Sequence, residues 1–437
     1  MERKLNESSF LKNMIDLQPV KGTRDFFPEE MRLRNWLFEI WRRTSVQAGF
    51  EEYDTCILEH ENLYLRKAGD EISKQLFSFE DKSGRRLSLR PEMTPSLARL
   101  ILQHKKSLSF PIKWFSMPQC FRYERMTKGR RREHFQWNAD IIGQPNILAE
   151  AEILLLLISA CESMGLTKKE FKVFINDRRI LNSILTQINV PKDMHNTVMV
   201  ILDKRDKISS EVLVTMLEDA GMSDKQVGKL NEYLLNTDLK DLQANLIDTT
   251  GVENLDSLMD MMDTAGCSGY LKFDISIVRG LSYYTGAVFE VNSPEKKHRA
   301  ICGGGRYDSL LSAFGGETVP AVGFGFGDVV VLDVLKELGR FPELPKKLEY
   351  TIIPFANEQV GIALKIASEL RMRGSAVDCN FSMKKMKKTM RQANESGATK
   401  AILLFPEELA EDKVVIRDMI LHKQKTVKIA DLISKVD

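Results

Sequence analysis

A short proline-containing segment, GRFPELPKK, divides this chain into two parts with different patterns of hydrophobic residues. Pro342 and Pro345 interrupt both the helical and the strand periodicity, which is typical of a linker. A chain of 437 residues, of which 43% are hydrophobic and 28% charged, is long enough for two or three domains with their own cores. We therefore predict a first domain over 1–338, a linker over 339–348 and a second domain over 349–437.

The two parts differ in the elements that they predict. After the linker, YTIIPF, SAVDCN, KAILLF and VVIRDM alternate with helical segments, which predicts a small α/β domain with crossover connections. The first part opens with an amphipathic helix from Pro28 to just before Gly49, and a meander of short strands follows over 76–90. From about 189 to 266 the sequence is helical and has no glycine-rich site, which predicts an inserted helical subdomain.

Several classes of protein are not expected. The longest aliphatic run, ILLLLISA, lies between Glu152 and Glu162 and is too short to cross about 30 Å of hydrocarbon, so no membrane role is predicted. The first residues lack an apolar signal core, and the six cysteines are scattered without any CxxC or Cys/His cluster. We therefore expect a cytoplasmic protein without a disulfide framework or a structural zinc.

The most cationic segment is FRYERMTKGRRREHFQ, which runs from Phe121 to Gln136 and holds six cations and two acids. The net charge of the whole chain is only +2, so this excess of positive charge is local. Such a segment is a solvated surface, a nucleic-acid patch, or a pocket for one highly charged small molecule. The other motifs of the chain decide among these three.

Three further motifs bear on that choice. In LRPEMTPSLAR, Glu92 and Thr94 would jointly hold an ammonium group on an extended backbone, although a turn that ends a strand explains them as well. In RGLSYYTG, Arg279 offers a bidentate anion clamp, and Tyr283 and Tyr284 offer phenolic hydrogen bonds. The segment GFGFGD mimics a dinucleotide-binding fingerprint with the wrong spacing, so we expect its glycines to allow close strand packing.

In this order, the motifs resemble those of histidyl-tRNA synthetases. The resemblance covers nearly the whole chain, through KGTRDFFPEE, LRPEMT, the FRYER segment, LDKRDK in the helical insertion, RGLSYYTG, GGGRYD and the C-terminal SMKKMKKTMRQAN. RGLSYYTG resembles a histidine-specific signature of that family, and FRYER resembles the second general motif of class II aminoacyl-tRNA synthetases. The resemblance implies an α+β fold, with a class II synthetase-like antiparallel sheet flanked by helices, a helical insertion and a C-terminal α/β anticodon-binding domain.

The resemblance also implies what the protein binds. ATP and Mg²⁺ are the implied cofactors, L-histidine and tRNA(His) are the implied partners, and the implied assembly is a homodimer. Arg122 would meet the α-phosphate of ATP, where charge develops in the reaction, and Arg130 would meet the outer phosphates. Glu124 would hold the adenine or the tRNA end, and Arg122 and Arg279 would act in catalysis. The remaining cations of the segment, which contact tRNA or face water, are Arg125, Lys128, Arg131 and Arg132.

For histidine, the resemblance implies a pocket that binds both ends of the amino acid. The implied contacts are Glu92 and Thr94 with the α-amino group, Gln136 and Arg279 with the carboxylate, Asp140 and Tyr284 with the imidazole nitrogens, and Tyr283 and Tyr307 within the same pocket. Such a pocket is selective, because an isostere without the imidazole nitrogens leaves buried polar groups of the protein without hydrogen-bond partners. The resemblance does not identify metal ligands.

Two departures from the family pattern stand out. Cys56 occupies the place of a proline in the first motif, which bears on the dimer interface. Val330 occupies the place where the third class II motif has an arginine on the γ-phosphate. We expect Arg130 and Mg²⁺ to take over much of the charge of that phosphate.

The C-terminal segment SMKKMKKTMRQAN is predicted to form a helix that places Met383, Met386 and Met390 on one face. The lysines predicted on another face are Lys384, Lys385, Lys387 and Lys388. These lysines belong either to an ordinary solvated helix or to a surface that contacts RNA phosphates.

Two functions fit these motifs. The first is that of a histidine–tRNA ligase, an enzyme that activates histidine with ATP and transfers it to tRNA(His). The second is that of a catalytically silent relative, either a histidine or tRNA sensor or a regulatory subunit of ATP phosphoribosyltransferase. Such regulators usually lack the C-terminal domain and the RGLxYYTG signature, and this chain has both. We therefore expect the enzyme.

Overall fold

A computed structural model describes residues 17–65, 74–205, 208–235, 238–278, 283–297, 299–380 and 386–434 of the chain. The chain divides into two compact units, of which the first ends at Phe341 and the second begins at Pro342. Residues 341–347 contain neither helix nor strand, and Leu348, the last residue of the predicted linker, begins a strand. Each unit has hydrophobic clusters of its own.

The first unit contains both strands and helices. Its described strands are β1 (Glu51–Glu52), β2 (Leu58–His60), β3 (Phe77–Glu80), β4 (Arg86–Leu89), β5 (Ile112–Ser116), β6 (Gln119–Phe121), β7 (Glu133–Ile142), β8 (Lys172–Asp177), β9 (Leu271–Phe273), β10 (Ala287–Asn292), β11 (Cys302–Arg306) and β12 (Ala321–Gly327). Its described α-helices are α1 (Pro28–Gln47), α2 (Asn62–Leu65), α3 (Thr94–His104), α4 (Leu148–Ser163), α5 (Arg178–Gln187), α6 (His195–Leu202), α7 (Ser210–Asp219), α8 (Asp224–Leu234), α9 (Leu239–Asn245), α10 (Thr250–Met262), α11 (Leu310–Ala313) and α12 (Asp328–Glu337).

The main sheet of the first unit is mixed. Its strands lie in the order β1-β5-β7-β12-β11-β10-β8-β9, and β6 pairs with β7 outside that order. The outermost pairs, β1 with β5 and β8 with β9, are parallel, whereas the pairs between β5 and β8 are antiparallel. A second sheet has the order β2-β4-β3 and contains the predicted hairpin, which turns at Gly84 with a φ of +76°.

Helix α1 packs against β7, the strand that begins in the last four residues of the cationic segment. It begins at Pro28, which suits a first helical position because it lacks an N–H and has a fixed φ, and it ends before Gly49, as predicted. Gly49 has a φ of +79°, a conformation that glycine adopts without strain. The buried ring of Trp41 stacks against Trp137 of β7, with centroids 6.0 Å apart. Helix α1 therefore supports β7 from the face opposite the cleft described below.

The predicted helical insertion contains α6 to α10, and the helical run already begins at α5. Helix α5 starts directly after β8 because the side chain of Asp177 accepts a hydrogen bond from the backbone N–H of Arg179 and caps the helix. Buried residues of these helices, such as Leu217 and Leu255, belong to the same hydrophobic cluster as the sheet residue Val173. The insertion is thus packed onto the body of the first unit.

The second unit is a mixed α/β structure. Its described strands are β13 (Leu348–Pro354), β14 (Val377–Cys379), β15 (Ala398–Leu404), β16 (Lys413–Asp418) and β17 (Gln424–Lys428), and its described α-helices are α13 (Val360–Met372), α14 (Met386–Glu395), α15 (Pro406–Leu409) and α16 (Ile429–Ser434). The sheet order is β14-β13-β15-β16-β17. Crossovers make β14, β13 and β15 parallel, as predicted, while β16 and β17 are antiparallel. Across both units, none of the described helices is long and apolar enough to cross a membrane.

Candidate active site

A cleft of about 1970 Å³ lies against one face of the main sheet of the first unit. It is lined by all the predicted ATP and histidine residues that fall within the described ranges. These residues are Glu92, Thr94, Arg122, Glu124, Arg130, Gln136, Asp140, Tyr283, Tyr284 and Tyr307. Segments far apart in the sequence therefore converge on one site.

Strand β7 supplies the floor of this cleft through the alternation of its side chains. Gln136, Asn138 and Asp140 line the cleft, whereas Trp137 and Ala139 are buried in the hydrophobic core. Successive side chains of a strand point to opposite faces of the sheet, so every second residue of β7 is available to a ligand. The segment from Gln119 to Ile142 is a strand, a loop and a strand, as predicted for the cationic segment.

The glycines of β12 make room for two of these side chains. A Cβ atom at Gly323 would lie 2.0 Å from Oδ1 of Asp140 and 2.8 Å from the carbonyl oxygen of Ala139. A Cβ atom at Gly325 would lie 2.6 Å from Nε2 of Gln136. The expectation that the GFGFGD glycines allow close packing is confirmed, and their effect is to let Asp140 and Gln136 lie over the neighbouring strand.

Replacing Gly323 by alanine is therefore expected to displace Asp140 and to destabilise the fold by about 1–3 kcal/mol, as overpacking does in well-packed interiors. Gly327 at the end of β12 is the matched control, because nothing lies within 4 Å of a Cβ atom there. Thermal unfolding of Gly323→Ala and Gly327→Ala measures the difference. Equal melting temperatures in the two variants and the unchanged protein would show that β12 tolerates the methyl group.

Asp140 and Tyr307 form a buried pair at one end of the cleft. The hydroxyl of Tyr307 donates a hydrogen bond to Oδ1 of Asp140. Burial raises the pKa of Asp140 to about 7, and the hydrogen bond from Tyr307 opposes this shift only in part. The rings of Tyr284 and Tyr307 both approach Tyr283, at centroid distances of 5.0 and 6.0 Å. This end of the cleft is apolar in its walls and offers an acceptor that changes charge near neutral pH.

Glu92 and Arg122 lie next to each other in the cleft, and Tyr283 connects Glu92 with the Tyr307 ring. Glu92 is in the turn between β4 and α3, and Thr94 is the first residue of α3, so the turn interpretation is right and the extended one is wrong. Burial raises the pKa of Glu92, while Arg122 and a hydrogen bond from Tyr283 oppose that shift. The Nε of Arg122 donates a hydrogen bond of 2.8 Å to the carbonyl oxygen of Pro91, which orients its guanidinium group.

The loop between β6 and β7 holds the next pair of charges. Arg130 forms an ion pair with the buried carboxylate of Glu124. Among the remaining cations, Lys128 pairs with Glu337 at 2.5 Å, and the guanidinium of Arg132 lies 4.0 Å from the centroid of the Tyr123 ring. Arg125 and Arg131 are exposed.

Sequence reasoning missed a partly buried arginine that connects three of the motifs through ion pairs. Arg24, in the KGTRDF segment, pairs with Glu133 of β7 at 2.7 Å and with Asp328 of α12 at 2.9 Å. Burial lowers the pKa of His134 to about 3, and the positive charges of Arg122 and Arg24 act in the same direction. With this pKa, His134 is uncharged at neutral pH, and its side chain lines the cleft. The spacing of KGTRDF alone gives no signal for these contacts.

Other cleft cations were also missed. Those from outside the FRYER segment are Lys74, Lys204, Arg205, Lys272, Lys296, Lys297 and Arg299. Lys204 and Arg205 come from the helical insertion. Within the part of the chain that the structure describes, no group of three His, Cys, Asp or Glu side chains could hold a metal ion.

Some predicted residues lie elsewhere. Arg279 is outside the described residues, as are Lys384 and Lys385. Lys387 and Lys388 lie on α14 of the second unit and are exposed. Of the three methionines predicted to share one face of this helix, Met383 lies outside the described residues, Met390 is partly buried and Met386 is 40% exposed. The buried face of this helix consists of the small residues Thr389 and Ala393. Their low hydrophobicity does not mark them as buried in the sequence.

Comparison with solved structures places the fold in a known class. The crystal structure of a histidyl-tRNA synthetase from Nostoc sp. matches with a TM-score of 0.80 at 25% identity and covers 96% of this chain and 98% of that chain. The predicted fold class is confirmed: the sheet flanked by helices and the C-terminal mixed unit are those of a class II aminoacyl-tRNA synthetase.

Sequence comparison identifies the family within that class. The family model described as histidyl-tRNA synthetase matches residues 22–327, and the model described as anticodon binding domain matches residues 349–437. A relative from Arabidopsis thaliana, named histidine–tRNA ligase, chloroplastic/mitochondrial, is 43% identical and covers 98% of this chain and 88% of its own. The histidine–tRNA ligase from Opitutus terrae is 36% identical, with coverages of 95% and 96%. The chain belongs to the histidyl-tRNA synthetase family.

Proposed function

We propose that this protein is a histidine–tRNA ligase, which activates L-histidine with ATP to histidyl-adenylate and transfers the histidyl group to tRNA(His). One observation carries the proposal. A single cleft holds the buried carboxyl group of Asp140, which accepts a hydrogen bond from Tyr307 and suits an imidazole, together with the cations Arg122 and Arg130, which suit phosphates. The names of the relatives from Arabidopsis thaliana and Opitutus terrae support the same activity.

Histidine is proposed to bind with its imidazole toward Asp140 and Tyr284 and its α-amino group toward Glu92 and Thr94. Imidazole has a donor and an acceptor on different edges of the ring, so a carboxylate and a phenol can bind both. Gln136 and Arg279 are proposed to contact the carboxylate. Tyr283 and Tyr307 complete the walls of the pocket. A side chain without ring nitrogens would leave the buried polar groups of the pocket without hydrogen-bond partners, which disfavours its binding.

ATP is proposed to bind with its α-phosphate near Arg122 and its outer phosphates near Arg130. The histidine carboxylate attacks the α-phosphorus, and pyrophosphate leaves. Negative charge grows on the α-phosphate oxygens in the transition state, and a guanidinium already oriented by its bond to Pro91 stabilises that charge without reorganisation. Glu124 is proposed to orient Arg130 and to contact either the adenine or the tRNA end, and Arg279 is proposed to assist at the α-phosphate.

Mg²⁺ is proposed to enter with ATP. In such sites Mg²⁺ is usually held by one or two carboxylates together with substrate phosphates, and it supplies charge neutralisation of those phosphates. The carboxylates of Glu124 and Glu290 both line the cleft and fit that donor set.

Histidine-dependent ATP/pyrophosphate exchange tests the proposed activity. The expected result is exchange that requires both L-histidine and Mg²⁺-ATP, followed by charging of tRNA(His) when tRNA is added. A silent sensor or a regulatory subunit would bind histidine without exchange. A folded protein that binds histidine and shows no exchange at saturating ATP and Mg²⁺ would contradict the ligase proposal.

The proposed role of Asp140 makes histidine recognition depend on pH. As the pH falls through the pKa of about 7, Asp140 gains a proton and stops accepting a hydrogen bond as a carboxylate, so histidine binding should weaken. The KM for histidine of Asp140→Asn should exceed that of the unchanged protein about 10- to 100-fold at pH 8.5, the effect of one charged hydrogen bond. This ratio should shrink toward pH 6. Both proteins meet the same titrating substrate, so a ratio that is constant with pH would contradict this role.

The remaining proposals concern tRNA, assembly and location. The second unit is proposed to bind the anticodon, with Lys387 and Lys388 among the phosphate contacts and Lys384 and Lys385 beside them in the sequence. A homodimer is proposed from the family resemblance, and sedimentation velocity would test it, including the effect of Cys56. A cytoplasmic location stays a prediction, whereas the relative from Arabidopsis thaliana is named for organelles.

A further inference from the structure

Val330 occupies the position in the cleft at which the third class II motif has an arginine. It lies in the first turn of α12 and lines the cleft. Its side chain faces the loop between β6 and β7, because a Cβ atom at Gly129 would lie 3.4 Å from Cγ2 of Val330. A valine cannot neutralise a phosphate, so the α12 side of this point is apolar.

Arg299 reaches the same point from a different element. It belongs to the segment between β10 and β11, and it lines the cleft. The same Cβ position at Gly129 would lie 3.5 Å from Cδ and 4.0 Å from Cγ of Arg299. Val330 and Arg299 therefore both lie against one residue of the loop, Gly129.

The charges around this point favour an anion. Arg130 directly follows Gly129 in the sequence. Burial and the positive charge of Arg130 lower the pKa of Arg299, and the carboxylate of Glu124 opposes this shift. The single carboxylate of Glu124 is shared by these two guanidinium groups, and an anion with several charges between them would offset their mutual repulsion further.

We propose that Arg299 binds the outer phosphates of ATP and replaces the arginine that the third motif lacks at Val330. This inference rests on the proposed function, because it concerns how the cleft holds ATP. A guanidinium group keeps its charge and presents a planar pair of donors to phosphate oxygens, whichever element carries it. Position in the cleft, and not position in the motif, decides which side chain meets the phosphate.

Exchange kinetics test the role of Arg299. Arg299→Ala should raise the KM for ATP about 10- to 100-fold, the effect of one charged hydrogen bond, and should leave the KM for histidine nearly unchanged. Arg125→Ala is the matched control, since Arg125 is an exposed arginine of the loop between β6 and β7 and is not among the residues that line the cleft. An unchanged KM for ATP in folded Arg299→Ala would overturn the inference.

A second variant tests whether Arg299 takes the place of the third-motif arginine or only adds positive charge to the cleft. Val330→Arg, introduced into Arg299→Ala, restores an arginine at the third-motif position and should lower the KM for ATP most of the way back. A double variant as impaired as Arg299→Ala would overturn the statement that Arg299 stands in for that arginine.

Calorimetric binding separates this inference from the proposed activity. The unchanged protein should bind Mg²⁺-ATP more tightly than AMP, and Arg299→Ala should lose about 10- to 100-fold of that difference while binding AMP normally. If the unchanged protein shows no exchange, the proposed function fails, but the comparison of ATP with AMP still tests Arg299. A difference between ATP and AMP that Arg299→Ala retains in full would overturn the inference whatever the result of the exchange assay.

Discussion

Replacing Arg122 by alanine is expected to lower the kcat of histidine-dependent exchange about 100- to 1000-fold, the range seen when one prepositioned charge-stabilising donor is removed. The proposed role is specific to the transition state, since negative charge increases on the α-phosphate as the carboxylate attacks. The KM values for ATP and histidine should therefore change much less than kcat. Exchange kinetics over a matrix of both substrates measure the three quantities together.

Arg125→Ala is the matched control for this variant. Arg125 lies three residues further along the same cationic segment and is exposed, so its loss removes the same charge without the proposed contact. Arg122 also neighbours the buried Glu92, and Arg122→Lys separates the two roles by keeping a charge near that carboxylate. A kcat of Arg122→Ala close to that of Arg125→Ala would remove Arg122 from the catalytic step.

Ending the chain at Phe341 is expected to preserve exchange and to lower kcat/KM for tRNA(His) about 100-fold or more. The first unit holds every described residue proposed to bind ATP and histidine. If the second unit binds the anticodon, its removal abolishes several contacts with phosphates. The loss of only two charge-assisted hydrogen bonds, at about 1.5–3 kcal/mol each, accounts for a change of that size.

The truncated chain must be shown to be folded and in the same oligomeric state before this result is interpreted. Separate hydrophobic clusters in the two units give the physical basis for expecting the first unit to fold alone. Lys387→Ala and Lys388→Ala, combined in the full chain, test whether the effect involves phosphate contacts on α14. Charging at the full rate by a folded truncated protein would contradict anticodon binding by the second unit.

Elements with strong local patterns were predictable from the sequence. Helix α1 has apolar residues at helical spacing between Pro28 and Gly49, and β12 is a short run of apolar residues and glycines. Strand β17, QKTVK, was missed because it lies at the edge of its sheet and is almost wholly exposed, so no buried face marks it. On α14 the buried residues are Thr389 and Ala393, whereas Met386 is exposed, so the predicted methionine face did not identify the residues that pack.

The sequence by itself determined the family resemblance and the elements with strong local patterns, because motif order and side-chain periodicity are properties of neighbouring residues. The resemblance in turn implied ten residues that line the cleft. Only the tertiary structure decided which distant side chains meet. Tyr307 donates to Asp140 across 167 residues, and the pKa of that carboxyl rises through burial, which no local spacing encodes. Arg299 likewise comes to Gly129 and Val330 through the packing of three separate elements. Contact and desolvation depend on how whole elements pack, and a linear pattern contains neither.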